Sequence, residues 1–495
     1  MKLFKKIAGF ILAFAMILAI AMPSVVMAEG NGSITITGAN AGHTFEAYQI
    51  FTGDVSGTGT NTKLSNIEWG SGVTEEGKTQ LGNAKDKAES LELNGRPAAV
   101  TFANEVSNYL SQSFGTSVQE GKNYKISNLK PGYYLVKDKD NSLTGKNNSY
   151  TMFILKVVGN EVSARVKSSV PTSKKKVMDT NDSEGTTTKW QDAADYDIGD
   201  DVPFQLTGYV ADNYNQYRSA YQLVFHDTLS NGLTFNASSV KVYVNGNSKP
   251  VNTDNYTITN PATDGHSFDV TIHDVRSLGD DISKVRVEYT AKLNDKALIG
   301  SAGNPNKMYM EFSNNPNSTQ GGSKGQTPVD KVIVFTYKTV INKINSDNQP
   351  LQGAAFKLEK VIKDKENKLV KEFTVKDDQT KFEFTGLDDG VYILTETVTP
   401  NGYNTMHPIT FHISAEHDTD ADDPKLTKLI GGQNDGQIIF TVDKEKGTLT
   451  TDVKNYKGEL PDTGGMGTTI LYAAGVILIL VAGAFLVMQK KAEDK

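Results

Sequence analysis

Residues 392–397 read Tyr392-Ile393-Leu394-Thr395-Glu396-Thr397, a run dominated by β-branched and aromatic side chains. Successive side chains of a β-strand point to opposite faces, so Tyr392, Leu394 and Glu396 share one face. Two of these three side chains are large and apolar, which makes theirs the face that we expect to be buried. The run therefore predicts a sandwich strand that carries a carboxyl group toward the core.

Similar short runs recur through the chain and are separated by turns rich in Gly, Asn, Asp and Pro. This spacing is typical of an all-β protein built from tandem immunoglobulin-like β-sandwich domains. Ala99, Phe102 and Val106 recur at helical spacing, which predicts some helix in the first domain. We expect three folded units, at residues 29–168, 169–330 and 331–457.

The composition excludes some classes of protein. The chain has 495 residues, a formal net charge of −7 and no cysteine. It carries no long Lys/Arg tract, which argues against nucleic acid as a partner. Without cysteine, an exported chain cannot form disulfides, so any covalent staple in the fold must use other chemistry.

The N-terminus has the pattern of a secretory signal peptide. Three lysines lie within the first six residues, an apolar run follows at residues 7–21, and the small-residue pattern Val26-Met27-Ala28 comes next. This order predicts that residues 1–28 direct export and are then removed.

The C-terminus combines a short motif with a membrane-spanning pattern. Leu460-Pro461-Asp462-Thr463-Gly464 precedes an apolar stretch at 470–488, and a basic tail follows. That stretch is long enough to span a bilayer. The pentapeptide resembles the L-P-x-T-G sorting signal, which implies that a sortase cuts between Thr463 and Gly464 and joins the Thr463 carbonyl to an amine. We therefore expect residues 460–495 to anchor a secreted protein covalently in the cell wall.

Three segments of the third unit resemble the Lys, Glu and Asn strands of a B-type collagen-adhesin (CnaB-like) domain. They are Ile341-Asn342-Lys343-Ile344, the run at 392–397 and Val453-Lys454-Asn455. The resemblance implies a Cna-type sandwich in which Lys343 and Asn455 form an intramolecular isopeptide bond and Glu396 is catalytic. Strand periodicity places each of these three residues on the apolar face of its strand.

Burial explains why such a reaction can occur. Desolvation lowers the pKa of a lysine and raises that of a carboxyl group, so a neutral amine and a neutral acid can coexist in a dry pocket. The alternative is an ordinary surface salt bridge between Lys343 and Glu396, which would contribute about 0–1 kcal/mol.

The second unit resembles the fimbrial isopeptide-forming D2 domain of Gram-positive, sortase-assembled backbone pilins. The matching segments are Lys175-Lys176-Val177, 225–229 around Asp227, and 312–316 around Asn314. The resemblance implies a bond between Lys175 and Asn314, with Asp227 as the catalytic acid. Three neighbouring residues stay open as alternatives: Lys174, Lys176 and Asn315.

Together these features predict the structural shaft subunit of a covalent, sortase-polymerised pilus that supports adhesion. It would not be an enzyme beyond its single-turnover self-crosslinking. Its expected partners are class C and housekeeping sortases, identical and accessory pilin subunits, peptidoglycan, and host matrix or cell-surface ligands. The alternative is a monomeric wall-anchored adhesin that binds host matrix.

Polymerisation requires a lysine that accepts Thr463 of the next subunit. The Tyr-Pro-Lys-Asn motif that carries this lysine in many backbone pilins is missing, and Lys167 occupies about the right place. Lys174 and Lys176 are the alternatives. We expect no cofactor and no metal: the acidic run at 418–423 lacks the central Gly and the later Glu of a calcium loop.

Overall fold

A computed structural model describes residues 32–57, 62–158, 161–166, 169–432 and 438–457. Within these ranges the strands form three successive pairs of sheets and one short ribbon, so the predicted all-β class is confirmed. The predicted signal peptide, Lys167 and the sorting signal at 460–495 lie outside these ranges. No helix among the described residues is long and apolar enough to cross a membrane, and the predicted span at 470–488 falls outside them.

The first pair of sheets is formed by strands β1 to β9. Their bounds are Gly32–Thr37, Phe45–Ser56, Lys63–Trp69, Gly115–Thr116, Val118–Glu120, Asn123–Leu129, Gly132–Asp138, Met152–Val157 and Glu161–Arg165. One sheet has the order β5-β6-β1-β9, and the other has the order β3-β2-β7-β8 with β4 beside β2.

Two helices pack on the second of these sheets, as the sequence predicts for the first domain. They are α1, Glu75–Leu81, and α2, Ala84–Val106. Asn83 starts α2, because its side chain accepts a hydrogen bond from the free backbone N–H of Asp86. Phe102 and Val106 are buried against the sheet, which explains the apolar helical spacing.

The second pair of sheets is formed by strands β10 to β22. Their bounds are Thr172–Val177, Thr180–Asn181, Thr186–Thr187, Ala193–Asp195, Asp201–Tyr209, Leu223–Leu229, Leu233–Val244, Tyr256–Thr259, Phe268–Ile272, Lys284–Leu293, Asn304–Ser313, Lys324–Gln326 and Asp330–Phe335. The sheet orders are β10-β14-β19-β16 and β13-β22-β20-β15-β18-β17, with β21 beside β20 and β11-β12 as the ribbon.

The expected boundary between residues 330 and 331 falls inside β22. That strand pairs with β20 and β13, so the second sandwich continues to Phe335. This apolar strand serves two cores, because Val332 and Val334 lie in the core of the second sandwich, whereas Ile333 and Phe335 lie in the core of the third.

The third pair of sheets is formed by strands β23 to β31. Their bounds are Tyr337–Asn345, Ala355–Lys360, Lys368–Glu372, Lys381–Leu387, Gly390–Val398, Ile409–His417, Leu426–Gly432, Thr441–Asp443 and Thr448–Asn455. The sheet orders are β26-β23-β31-β30 and β25-β24-β27-β28-β29. The first and last strands, β23 and β31, are parallel neighbours.

A buried charge cluster joins the second and third sandwiches. Lys360 of β24 is fully buried, and its Nζ lies 2.9 Å from Asp388 Oδ2 and 3.0 Å from Asp197 Oδ2. Burial alone lowers the pKa of this lysine, but Asp388 and Asp197 outweigh it and raise the pKa. Since Asp197 follows β13 in the second sandwich, this lysine forms a charged contact between the two units.

Candidate cross-linking sites

The parallel pairing of β23 and β31 brings Lys343 and Asn455 together. Lys343 pairs with Val453, two residues before Asn455, so both side chains point into the same side of the sandwich. Glu396 comes from β27 of the facing sheet. The exposed fractions of Lys343, Glu396 and Asn455 are 0%, 5% and 1%. The three residues that the sequence singles out therefore share one dry pocket.

Hydrogen bonds orient the amide of Asn455 between the other two groups. Its Oδ1 accepts from Lys343 Nζ at 2.5 Å, and its Nδ2 lies 3.0 Å from each carboxylate oxygen of Glu396. Lys343 Nζ lies 4.0 Å from Glu396 Oε1. The amine thus touches the carbonyl end of the amide, while the carboxyl group touches the nitrogen that would leave.

The electrostatics of this pocket suit a nucleophilic amine. Burial lowers the pKa of Lys343 to about 8, although the nearby Glu396 opposes the shift. Glu396 is fixed by two further donors, the Thr399 hydroxyl at 3.2 Å and the Met406 backbone N–H at 3.1 Å. A fixed carboxyl group that is hydrogen-bonded to Asn455 Nδ2 and lies 4.0 Å from Lys343 Nζ is placed to carry a proton between the two nitrogens.

The second sandwich contains a similar cluster around Lys175. This lysine of β10 is fully buried and forms an ion pair with Asp227 of β15 in the facing sheet. Burial lowers the pKa of Lys175 and raises the pKa of Asp227. Lys175 Nζ also lies over the rings of Phe204 and Tyr289, at 5.4 and 5.5 Å from their centroids. The predicted lysine–aspartate pair is therefore present in an apolar environment.

The asparagine that completes this cluster is Asn306, which the sequence analysis missed. The Tyr289 hydroxyl donates to Asp227 Oδ2 at 3.0 Å and accepts from Lys175 Nζ at 3.1 Å and from Asn306 Nδ2 at 2.7 Å. Asn306 is fully buried, and its Oδ1 has no hydrogen-bond partner among the described residues. Lysine, acid and amide are thus connected through one hydroxyl.

Asn314 lies elsewhere, and the expected pairing with Lys175 needs correction. Its Nδ2 donates to the backbone carbonyls of Leu143 and Asn148 in the first sandwich, at 3.1 and 3.2 Å. In β20 the residue opposite Asp227 is Met308, and Asn314 is six positions farther on, just past the end of the strand and about 20 Å along its direction. Asn314 therefore belongs to the joint between the first two units.

The open alternatives around this cluster are also placed. Lys174 is exposed, and Lys176 Nζ lies 2.6 Å from Asp192 Oδ1. Asn315 Oδ1 accepts from the backbone N–H of Asn317 at 3.0 Å, which forms a local turn. Of the three consecutive lysines, Lys175 is the one that enters the core.

Strand parity alone could not separate Asn306 from Asn314. Both lie an even number of residues from Met310, so both are predicted on the buried face of the same strand. The register of β20 against β15 separates them: Asn306 pairs with Leu229, two residues from Asp227.

The predicted acidic loop at 418–423 contacts lysines of the second sandwich. Asp423 forms an ion pair with Lys331, and Asp420 Oδ1 lies 3.7 Å from Lys176 Nζ. These contacts give the loop a role in the joint between the second and third units.

Two parts of the chain match known protein families. Residues 338–425 match the SpaA family, described as a prealbumin-like fold domain, and residues 452–495 match the LPXTG cell wall anchor motif. This chain is a cell-wall-anchored surface protein. The anchor match covers the pentapeptide at 460–464 and everything that follows it.

One curated relative and two solved structures extend the comparison to most of the chain. This cell-wall-anchored protein is 27% identical over 396 residues to the trypsin-resistant surface T6 protein of Streptococcus pyogenes serotype M6, covering 66% of this chain and 70% of that protein. The structure of the T6 backbone pilin of the same serotype matches with a TM-score of 0.55 and 20% identity, over 86% of this chain and 98% of that chain. The full-length major pilin SpaD of Corynebacterium diphtheriae matches with a TM-score of 0.50 and 18% identity, over 86% and 97%. At such identities the two structures establish a shared fold.

Proposed function

We propose that this wall-anchored protein is the shaft subunit of a covalent pilus. The observation that carries the proposal is the correspondence of 98% of the T6 backbone pilin to this chain, together with sequence homology to the T6 surface protein. A shaft subunit needs a way to be joined to its neighbour and a fold that resists tension. The C-terminal motif supplies the first, and the two lysine clusters supply the second.

Assembly would use the motif at 460–464. A class C sortase cuts between Thr463 and Gly464 and transfers the Thr463 carbonyl to an amine of the next subunit. A housekeeping sortase then joins the base of the fibre to peptidoglycan, with the span at 470–488 retaining the precursor in the membrane until cutting. Lys167 is the proposed amine. The alternatives are Lys174, which is exposed, and Lys176, which is paired with Asp192.

In the third sandwich, Lys343 and Asn455 would form an isopeptide bond. The lone pair of the Lys343 amine attacks Cγ of Asn455, and the new Nζ–Cγ bond replaces the Cγ–Nδ2 bond. Glu396 takes a proton from the attacking nitrogen and delivers one to Nδ2, which leaves as ammonia. The contacts of Asn455 with both groups support these roles.

In the second sandwich, Lys175 and Asn306 would react in the same way, with Asp227 as the proton carrier. Tyr289 donates to the carboxylate and accepts from both nitrogens, so it holds the reacting groups in place. All four side chains are buried, so water is excluded. The shared Tyr289 hydroxyl keeps them close together, which is the proximity that an unreactive amide requires.

The position of the first bond explains its use in a fibre. Lys343 and Asn455 lie 112 residues apart, on the first and last strands of the third sandwich. By the chain-entropy model for a disulfide, closing a loop of about 110 residues stabilises the fold by about 4–5 kcal/mol. Under tension, the bond would also carry force between the two terminal strands without separating the sheets.

A wall extract from a host that contains the class C sortase tests the polymer against the monomeric adhesin. The shaft proposal predicts a ladder of high-mass species that resist SDS, and a single band would favour the adhesin. Lys167→Ala should collapse the ladder, and Lys174→Ala is the matched control. If the ladder survives the first change and disappears with the second, Lys174 is the acceptor.

A further inference from the structure

Two histidines and two aspartates meet on the outer face of the second sandwich. His226 of β15 pairs across the sheet with Asp269 of β18, while Asp264 and His266 come from the turn between β17 and β18. Each of the four offers one ligand atom, and these atoms all lie within 4.8 Å of one another. None of these residues takes part in the proposed cross-links, because Asp227, next to His226, points to the opposite face.

The histidine nitrogens and aspartate oxygens of this group lie close to one another. His226 Nδ1 lies 2.8 Å from Asp269 Oδ1 and 3.2 Å from Asp264 Oδ2. His266 Nδ1 lies 2.7 Å from Asp264 Oδ1, whose oxygen also accepts from the His266 backbone N–H at 3.3 Å. Ligands at about 2.0–2.1 Å from a tetrahedral zinc ion are about 3.3 Å apart, so small outward shifts would convert this cluster into a coordination shell.

A second observation concerns the far side of the His226 ring. His226 is only 6% exposed, and its Nε2 has no hydrogen-bond partner among the described residues. That nitrogen faces Glu311 Oε2 at 3.6 Å, and the ring stacks on Tyr309 with 4.7 Å between centroids. A histidine that binds metal through one nitrogen commonly directs the other to a carboxylate. Glu311 lies in the place of that outer carboxylate.

We propose that His226, Asp264, His266 and Asp269 bind a divalent first-row transition ion of the zinc type. The nitrogen donors favour this class over calcium and magnesium, which prefer shells made of oxygen. Asp264 has a side chain that is 41% exposed, which gives the ion a path from solvent. Asp269 and His226 are held by the sheet, so binding would fasten the turn that carries Asp264 and His266 to β15.

This site differs from the sequence-based expectation of no metal. The local pattern Asp264-Gly265-His266 is short, and the other two ligands lie on separate strands that only the sheet brings together. Since the site lies on the face of β15 opposite to Asp227 and shares no residue with either lysine cluster, the proposal does not depend on the pilus function.

Titration of the mature chain, residues 29–463, with Zn²⁺ by calorimetry tests the site. The chain should be purified without a polyhistidine tag, because a tag would add Zn²⁺-binding histidines to the seven that the chain contains. We expect one saturable site, a higher melting temperature of the second unit with Zn²⁺, and no competition from excess Ca²⁺. Co²⁺ should give the visible absorption of a tetrahedral complex, and Zn²⁺ should displace it.

Variants distinguish the proposed ligands from other surface groups. His266→Ala should weaken Zn²⁺ binding by at least about 100-fold, since loss of an outer-shell partner alone costs about 10–100-fold. His273→Ala is the matched control, because His273 is exposed and bonds the Thr257 hydroxyl instead. Both changes lie outside the core, so both proteins should fold, which their melting curves without metal will show. A wild-type chain without saturable binding, or an unchanged affinity in His266→Ala, would mean that the cluster is a hydrogen-bonded His–Asp group only.

Discussion

Replacing Asn306 by alanine separates the two asparagines that could react with Lys175. Asn306 shares the Tyr289 hydroxyl with Lys175, whereas Asn314 donates to carbonyls of the first sandwich. We therefore expect Asn306→Ala to abolish the bond in the second unit and Asn314→Ala to leave it intact. Each variant removes one fully buried amide, so each serves as the control for the other.

The two variants should also differ in stability. A bond between Lys175 and Asn306 closes a loop of about 130 residues, which the chain-entropy model values at about 5 kcal/mol. In a unit of about 160 residues, each kcal/mol shifts the melting temperature by about 2–4 °C, so Asn306→Ala should lower it by about 10–20 °C. Asn314→Ala loses two hydrogen bonds and should cost about 1–3 kcal/mol.

Intact mass and peptide mapping detect the cross-links, and calorimetry measures the melting temperature. The wild-type mature chain should lack two ammonia molecules, Asn306→Ala should lack one, and Asn314→Ala should lack two. Mapping should find a branched peptide that joins residues 175 and 306. A branched peptide joining 175 and 314, or an Asn314→Ala chain that lacks only one ammonia, would refute the assignment and the register argument behind it.

Other predictions concern the third unit and its joint with the second. Glu396→Ala should leave the Lys343–Asn455 bond unformed, so the measured mass should exceed that calculated for the fully cross-linked variant by one ammonia. A mass equal to the calculated one would show that the carboxyl group is not needed for the reaction. Because burial lowers the pKa of Lys343 to about 8, the neutral amine is about 1% of the total at pH 6 and about half at pH 8. Ammonia release after dilution of unreacted chain from urea should therefore rise about ninefold from pH 6 to pH 7 and level off above about pH 9, and a flat profile would contradict this. Lys360→Met should destabilise the protein by about 3–5 kcal/mol in denaturant unfolding, because it removes the buried cation that lies nearest to the carboxylates of Asp388 and Asp197. Lys357→Met, on the same strand and half-buried, is the control.

Much of the third unit could be predicted because its key residues obey local rules. Lys343, Glu396 and Asn455 each lie two residues from a large apolar side chain, so strand parity was enough to turn all three inward. Their meeting required only that the first and last strands be neighbours, which the resemblance to a known domain supplied. The structure brings these three side chains together as expected.

The second unit shows where the same rule is insufficient. Parity gives Asn306 and Asn314 the same orientation, and only the pairing of β20 with β15 shows which of them lies near Asp227. Tyr289 carries no motif, yet it connects the whole cluster from the facing sheet. The boundary after residue 330 divides β22 for a related reason, since the extent of that strand is set by its partners β20 and β13.

The sequence by itself predicted the export signal and determined the anchoring motif, the strand-rich class and the inward direction of Lys175 and Lys343, because each depends on residues that are adjacent in the chain. The tertiary structure decided which groups are within reach of one another: Asn306 rather than Asn314, Lys360 between two sandwiches, and four metal-type ligands on one outer face. The physical reason is that side-chain direction follows from local backbone geometry, whereas distance follows from strand register, which non-local pairing sets.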